Sequence, residues 1–175
     1  QFILNRKPSY VQEALYQELR DLSRFYQNLT EDIVCAKNRL HKVLQITFPE
    51  LENILSAPTG EQYWNLVITF PCNSFVLESD DATLTAIIRQ STAKRISEKR
   101  VTYLVDKLTK LANQSYCAVK KTSPVIEEVK YYAGELLRLS EHRQGVVEEM
   151  VTLAQSLPEY EILLSIPGIA ETTAT

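Results

Sequence analysis

The first part of the chain carries an apolar pattern whose spacing alternates between four and three residues. It runs unbroken from Leu15 to Val43, and no Gly or Pro interrupts it before Pro49. This is the a/d signature of a coiled-coil helix. It predicts one helix of about 35–40 residues, roughly 55 Å long, that begins near Pro8 with Ser9 as its N-cap. The seam consists of Leu15, Leu19, Leu22, Tyr26, Leu29, Ile33, Ala36, Leu40 and Val43.

A second seam with the same spacing runs from Val125 to Leu157. Ser123 and Pro124 supply an N-cap and a proline at the first helical position. Arg143 is the one polar member, and either it fixes the register of the pairing or its charged end extends to solvent. The members are Val125, Val129, Tyr132, Leu136, Leu139, Arg143, Val146, Met150, Leu153 and Leu157.

Shorter helical segments are predicted between the two seams. Pro49–Leu55 fits one or two turns, and Thr59 is predicted to cap a helix that ends near Phe70. Asp80 and Asp81 precede a helix at 82–90, and Ser97 begins another, whose apolar face is Val101, Leu104, Val105, Leu108, Leu111 and Ala112. The predicted fold is therefore all-α: two long heptad-patterned helices form a coiled-coil hairpin, with a small helical subdomain inserted at its tip.

The predicted boundaries follow from these segments. Residues 1–48 form the first coiled-coil helix, 49–122 the helical insert, 123–157 the second coiled-coil helix, and 158–175 the start of a further domain. With no initiator Met or signal peptide, both ends are expected to be cut points within a larger protein. No apolar run approaches a membrane span, so we expect a cytoplasmic protein without a membrane partner.

Charge is strongly partitioned along the chain, although the net charge is only −3. Residues 89–121, here called the basic segment, carry nine basic side chains against two acidic ones, and acidic stretches lie on both sides. Such a stripe can neutralise phosphates. Alternatively, it is a solvated face, or it pairs with acidic surfaces of its own protein. The candidate nucleic-acid-binding residues are Arg89, Lys94, Arg95, Lys99, Arg100, Lys107 and Lys110.

No catalytic or metal-binding grouping is evident. Cys35, Cys72 and Cys117 are widely spaced and are expected to be reduced thiols. His41 and His142 are isolated, so a metal site is not expected. The chain contains neither a Gly-rich phosphate loop nor a nucleophile elbow.

The last segment, Leu163–Ala170, is a tight apolar turn between two helix-like stretches. Gly168 suits a positive φ, and a helix that follows at once would offer free N–H groups to a phosphate. This is the pattern of a helix-hairpin-helix element, with Gly168, Ile169 and Ala170 as candidate phosphate contacts, although Ala170 stands where a second Gly is usual. The alternative is an ordinary helix-capping turn.

Two stretches resemble one family. Leu163–Thr173 looks like the opening of the C-terminal domain of insertion-sequence transposases of the 110/116/902 family. Glu18–Tyr26, Lys37–Leu44 and Phe48–Leu51 are similar to that family's coiled-coil region. Together these motifs bracket nearly the whole chain.

The resemblance implies a DNA transposition function for a mobile element. Members join a RuvC-like domain, with an Asp-Glu-Asp-Asp metal site for Mg²⁺, to a domain with a nucleophilic Ser, and a guide RNA pairs with donor and target DNA. It also implies that these catalytic groups lie before Gln1 and after Thr175, so no catalytic residue is assigned and no cofactor is expected here. Whether the chain itself is enzymatic stays open, since only the parent protein is implied to be a transposase.

Three functional hypotheses remain at this stage. The first is an oligomerisation and nucleic-acid-positioning region of a transposase, with DNA and a guide RNA as partners. The second is a structural coiled-coil module, and the third is a helix-hairpin-helix DNA-repair accessory protein. Apolar residues beside the first seam (Tyr16, Phe25, Leu44 and Ile46) favour a further partner, so a homodimer is predicted. The candidate oligomerisation residues are Leu15, Leu19, Leu22, Tyr26, Leu29, Ile33 and Leu40.

Overall fold

The computed structural model describes residues 10–165, and within this range it contains seven α-helices, one 3₁₀ helix and no strand. The prediction of an all-α chain is confirmed. The helices are α1 (Tyr10–Thr47), a 3₁₀ helix (Pro49–Asn53), α2 (Glu61–Thr69), α3 (Asn73–Leu77), α4 (Asp81–Gln90), α5 (Glu98–Gln114), α6 (Pro124–Ala154) and α7 (Pro158–Leu164).

The two long helices form where the heptad spacing predicts them, except that α6 ends at Ala154, before Leu157, the last member of the second seam. Helix α1 has 38 residues, and α6 begins at Pro124 and has 31. The Ser123 hydroxyl accepts a hydrogen bond from the Val125 N–H at 3.4 Å, as expected of an N-cap. The predicted Ser9 cap lies outside the described residues.

Burial follows the heptad spacing in both helices. All nine positions of the first seam and all ten positions of the second are buried or half-buried. Most positions between the seam residues of α1 are exposed, as the periodicity of a half-buried helix requires. In α6, Ile126 and Ala133 lie off the seam and are fully buried.

The chain divides into two compact units. The first comprises Gln1–Asp32 and Ser140–Thr175. Within it, the Arg143 guanidinium carbon lies 5.9 Å from the centre of the Tyr26 ring. Arg143 is half-buried and lies over an aromatic residue of the other seam, where a cation–π contact offsets part of the cost of its burial.

The second unit comprises Ile33–Leu139. Its centre is α5, which packs against α3, α4 and the 3₁₀ helix. Leu104 and Leu108 of α5 are fully buried there. The apolar face predicted for this helix is therefore its core-facing side.

Three local predictions concern helix starts in this second unit. Asp80 caps α4 by accepting a hydrogen bond from the Thr83 N–H, and Ser97 caps α5 in the same way from Arg100. The predicted Thr59 cap is wrong, because Gly60 is the N-cap of α2 and has φ of 93°. Residues with a side chain rarely adopt a positive φ, so glycine is favoured at this position.

None of the helices within residues 10–165 combines the length and apolar character that crossing a bilayer requires.

Candidate nucleic-acid interface

Helix α5 separates its apolar and basic side chains onto opposite faces. At about 100° per residue, the basic residues and one tyrosine fall within a single arc of roughly 100°. The buried residues of α5 lie on the opposite side of the helix. The arc, here called the basic face of α5, consists of Lys99, Arg100, Tyr103, Lys107 and Lys110.

Tyr103 lies at the middle of the basic face and is 50% exposed. The Arg100 guanidinium carbon is 5.3 Å from the centre of its ring, and the Lys107 ammonium nitrogen is 5.8 Å from it. These cation–π contacts hold the two cations beside the ring. The sequence analysis named only the cations of this segment and did not predict this arrangement.

The turn between α4 and α5 adds two more cations. Lys94 and Arg95 are exposed. Together with Arg89 and the other residues of 92–98, they line a shallow pocket with a volume of about 430 Å³. The turn begins at buried Ser91, whose carbonyl accepts a hydrogen bond from the Asn65 amide at 2.9 Å. The surface therefore starts from an anchored point of the backbone.

Two cations of the basic segment are paired within the chain. Arg89 donates to the Glu98 carboxylate at 2.6 Å, and this contact raises the pKa of Arg89 and lowers the pKa of Glu98. Lys121 pairs with Glu78 and lies over the Phe75 ring. For these two residues, the alternative of pairing with the protein's own acidic side chains is correct.

The other six candidate nucleic-acid-binding residues have no such partner among the described residues. Within residues 10–165, no ion pair forms at Lys94, Arg95, Lys99, Arg100, Lys107 or Lys110. These cations lie on one side of α5 and on the turn that precedes it, and exposed Asp106 borders them one helical turn from Lys110. The surface keeps a net positive charge. Such a surface attracts a polyanion.

Asn73 fixes the end of α5. Its side-chain amide, in a residue only 9% exposed, donates to the Ala112 carbonyl at 3.1 Å and to the Ser115 carbonyl at 2.8 Å. The last carbonyls of a helix lack partners within it, so these bonds hold α5 against α3. The basic face is therefore carried on a helix that is fixed at its C-terminal end.

The remaining candidate residues are distributed differently. Gly168, Ile169 and Ala170 lie outside the described residues. The candidate oligomerisation residues of α1 are buried or half-buried within the chain. Of the flanking apolar residues, Leu44 is fully buried in the second unit, whereas Tyr16, Phe25 and Ile46 are exposed.

Among the described residues, no group of three or more His, Cys, Asp or Glu side chains could hold a metal ion. The Cys72 and Cys117 thiols are neighbours, which their distance in the sequence concealed, and burial together with Cys72 raises the pKa of Cys117 to about 11. His41 lies 2.6 Å from the Glu52 carboxylate.

Comparison with known proteins identifies one family. Searches of curated proteins and of solved structures give no significant match. Residues 4–49, which include most of α1, match the family model of the IS110-type DEDD proteins, described as Transposase. This match, over the helix where the sequence resembles the family's coiled coil, supports the identification of the chain as part of an IS110-family transposase.

Proposed function

We propose that this chain is the part of a DNA transposase that mediates assembly and positions nucleic acid, and that the basic face of α5 makes the nucleic-acid contact. The observation that carries the proposal is the set of six unpaired cations on α5 and the preceding turn. The family match at residues 4–49 supplies the biological context. Catalytic residues and Mg²⁺ belong, in this proposal, to other parts of the transposase.

The geometry favours phosphate contact over a purely structural role. A structural module would leave six cations without partners on one surface. Arg and Lys that neutralise phosphates release counterions, which makes the binding favourable and strongly dependent on salt. Lys94 and Arg95 on the turn extend the basic face beyond the helix, so a strand could contact both.

Charge reversal tests this contact. The variant Lys94→Glu, Arg95→Glu, Lys99→Glu, Arg100→Glu should lose most of its binding to fluorescently labelled DNA or RNA in an anisotropy titration at low salt. The matched control reverses four exposed cations of α1: Arg20, Arg24, Arg39 and Lys42. Equal loss of binding in the two variants would show that the binding surface is not on α5.

We further propose that the two seams pair as an antiparallel coiled-coil hairpin, with the helical insert at its tip. Support comes from the contact between Tyr26 and Arg143, which belong to different seams, and from the seam positions, all of which are buried or half-buried. Pairing within the chain would leave the oligomerisation candidates covered and place self-association on other side chains of α1.

A homodimer through α1 is the second part of this assembly proposal. Tyr16 is 38% and Phe25 46% exposed, and both flank the first seam. The chain should sediment as a dimer at high concentration. The variant Tyr16→Ser, Phe25→Ser should sediment as a monomer that keeps its helical circular dichroism. A wild-type chain that stays monomeric at all concentrations would contradict the proposed dimer.

A DNA-repair accessory protein remains the alternative suggested by the helix-hairpin-helix pattern at Leu163–Ala170. The family match at the other end of the chain favours the transposase. A RuvC-like segment with catalytic acids encoded upstream of Gln1 would exclude the repair protein. Its absence from the intact protein would count against the transposase.

A further inference from the structure

Tyr103 places an aromatic ring in the middle of the basic face of α5. Its side chain is 50% exposed and lies on the side of the helix away from the buried residues. Within the described residues, its ring makes cation–π contacts with Arg100 and Lys107. The ring is thus held one helical turn from a positive charge on each side, with half of its surface in water.

An aromatic ring between two cations is suited to bind an unpaired nucleotide. The ring offers a flat surface for a base to stack on, and the flanking cations can contact the phosphates on either side of that base. A base within a duplex is already stacked on its neighbours and paired, so its face is not accessible to a side chain on a helix surface. Stacking on Tyr103 therefore requires a single strand, a loop or a flipped base.

The basic face of α5 is long enough for a strand to pass over Tyr103. From Lys99 to Lys110 the helix rises about 16 Å at 1.5 Å per residue. Lys94 and Arg95 extend the surface beyond the N-terminal end of α5. Tyr103 lies between these groups, so a strand that follows the cations passes over its ring.

We propose that Tyr103 is a specificity-determining residue that makes the basic face of α5 bind unpaired nucleotides in preference to duplex. This inference rests on the proposed function, since it assumes that the basic face binds nucleic acid. The ligand is defined by its shared chemistry, an unpaired base flanked by phosphates. Single-stranded DNA and single-stranded RNA both carry that group.

The test compares Tyr103→Ala, Tyr103→Phe and the control Tyr131→Ala, in which an exposed tyrosine of α6 is removed. Anisotropy titrations use oligothymidine, oligouridine and a DNA duplex, each of about 16 nucleotides or base pairs. Tyr103→Ala should weaken single-strand binding by about 5- to 150-fold, the range expected for loss of one stacked base. It should change duplex binding less than about 2-fold, and Tyr103→Phe and Tyr131→Ala should bind as the wild type does.

The two oligonucleotides separate the sources of the ligand. A larger effect on oligouridine assigns the stacking contact to RNA, and a larger effect on oligothymidine assigns it to DNA; either supports the proposal. Equal weakening of single-strand and duplex binding by Tyr103→Ala overturns it, as does no weakening of either.

Failure of this inference is distinguishable from failure of the proposed function. Tyr103→Ala removes no charge, so the dependence of its binding on salt should equal that of the wild type. If charge reversal abolishes binding while Tyr103→Ala has no effect, only the role of Tyr103 is refuted. If the wild-type chain binds none of the three ligands, the proposed function fails as well.

Discussion

Replacing Asn73 by Ala should destabilise the second unit and loosen the helix that carries the basic face. Asn73 is at the start of α3, and its amide bridges two carbonyls at the end of α5, those of Ala112 and Ser115. Alanine keeps the α3 backbone and removes both donors. The substitution removes the connection between α3 and the C-terminal end of α5, and with it the Asn73 Oδ1 that accepts a weak hydrogen bond from the neighbouring Cys72 thiol.

The size of the effect follows from the two hydrogen bonds. Each contributes about 0.5–1.5 kcal/mol net, and a buried carbonyl left without a partner costs about 1–3 kcal/mol. Because the site is only 9% exposed, water replaces these bonds poorly. We expect a loss of about 2–4 kcal/mol, which corresponds to a fall in Tm of about 4–16 °C for a chain of this length.

Asn113 provides a matched control. Its side-chain amide also donates to a carbonyl, that of Thr109 at 2.9 Å, but the residue is exposed. Asn113→Ala should change stability by less than about 0.5 kcal/mol. Thermal melting followed by circular dichroism compares the two variants. If Asn73→Ala melts at the same temperature as Asn113→Ala, the bridge does not stabilise α5 and the reasoning is refuted.

Further predictions address the core, thiol reactivity and helix capping. Leu108→Ala should destabilise the chain by about 2–5 kcal/mol in urea unfolding, because the side chain is fully buried. Alkylation of Cys117 near neutral pH should lag behind that of exposed Cys35 and accelerate as the pH rises toward 11, because its raised pKa keeps it a thiol. Hydrogen bonds from the Thr83 side chain and backbone lower the pKa of Asp80, so its contribution to stability is present above its ordinary pKa and lost as the pH falls through the lowered value. Asp80→Asn should keep the cap and lose that part of the acid sensitivity in melts against pH.

Each of these has an outcome that contradicts it. A Leu108→Ala variant as stable as the wild type would mean that α5 is not the centre of a packed core. Equal alkylation rates for Cys35 and Cys117 at neutral pH would contradict the raised pKa of the Cys117 thiol. If the stability of Asp80→Asn depended on acidic pH as that of the wild type does, the Asp80 carboxylate would not have different pKa values in the folded and unfolded states.

The long helices were predictable because their signal is dense. Nine seam residues in α1 share one spacing, and a single helix is the structure that places them all on one side. The N-caps at Asp80, Ser97 and Ser123 were also predictable, because Asp and Ser are preferred N-cap residues at the start of a helix.

Features that depend on tertiary contacts were not predictable. Helix α3 has only five residues, too few to show a helical periodicity, and its N-cap, Cys72, carries no side-chain cap hydrogen bond. Gly60, and not Thr59, is the N-cap of α2, and its positive φ is a backbone conformation that the apolar pattern does not encode. The juxtaposition of Cys72 with Cys117 depends on the packing of α3 against α5.

The candidate interface was half predictable. Spacing alone placed several cations on one side of a helix, and the structure adds which of them are free. Arg89 is paired with Glu98 across the turn between α4 and α5, a contact that no helical periodicity encodes. The position of Tyr103 between two cations follows from its spacing of three and four residues from Arg100 and Lys107, a signal that was present in the sequence.

The dependence of nucleic-acid binding on salt tests the central claim most directly. If the six unpaired cations each neutralise one phosphate of a single strand, the slope of log K against log salt should be about −4, from roughly −0.7 per contact. The variant with Lys94, Arg95, Lys99 and Arg100 reversed should show a slope of about −1 or weaker, since at most two contacts remain. A wild-type slope near zero, or the same slope in both proteins, would contradict the assignment of nucleic-acid binding to α5.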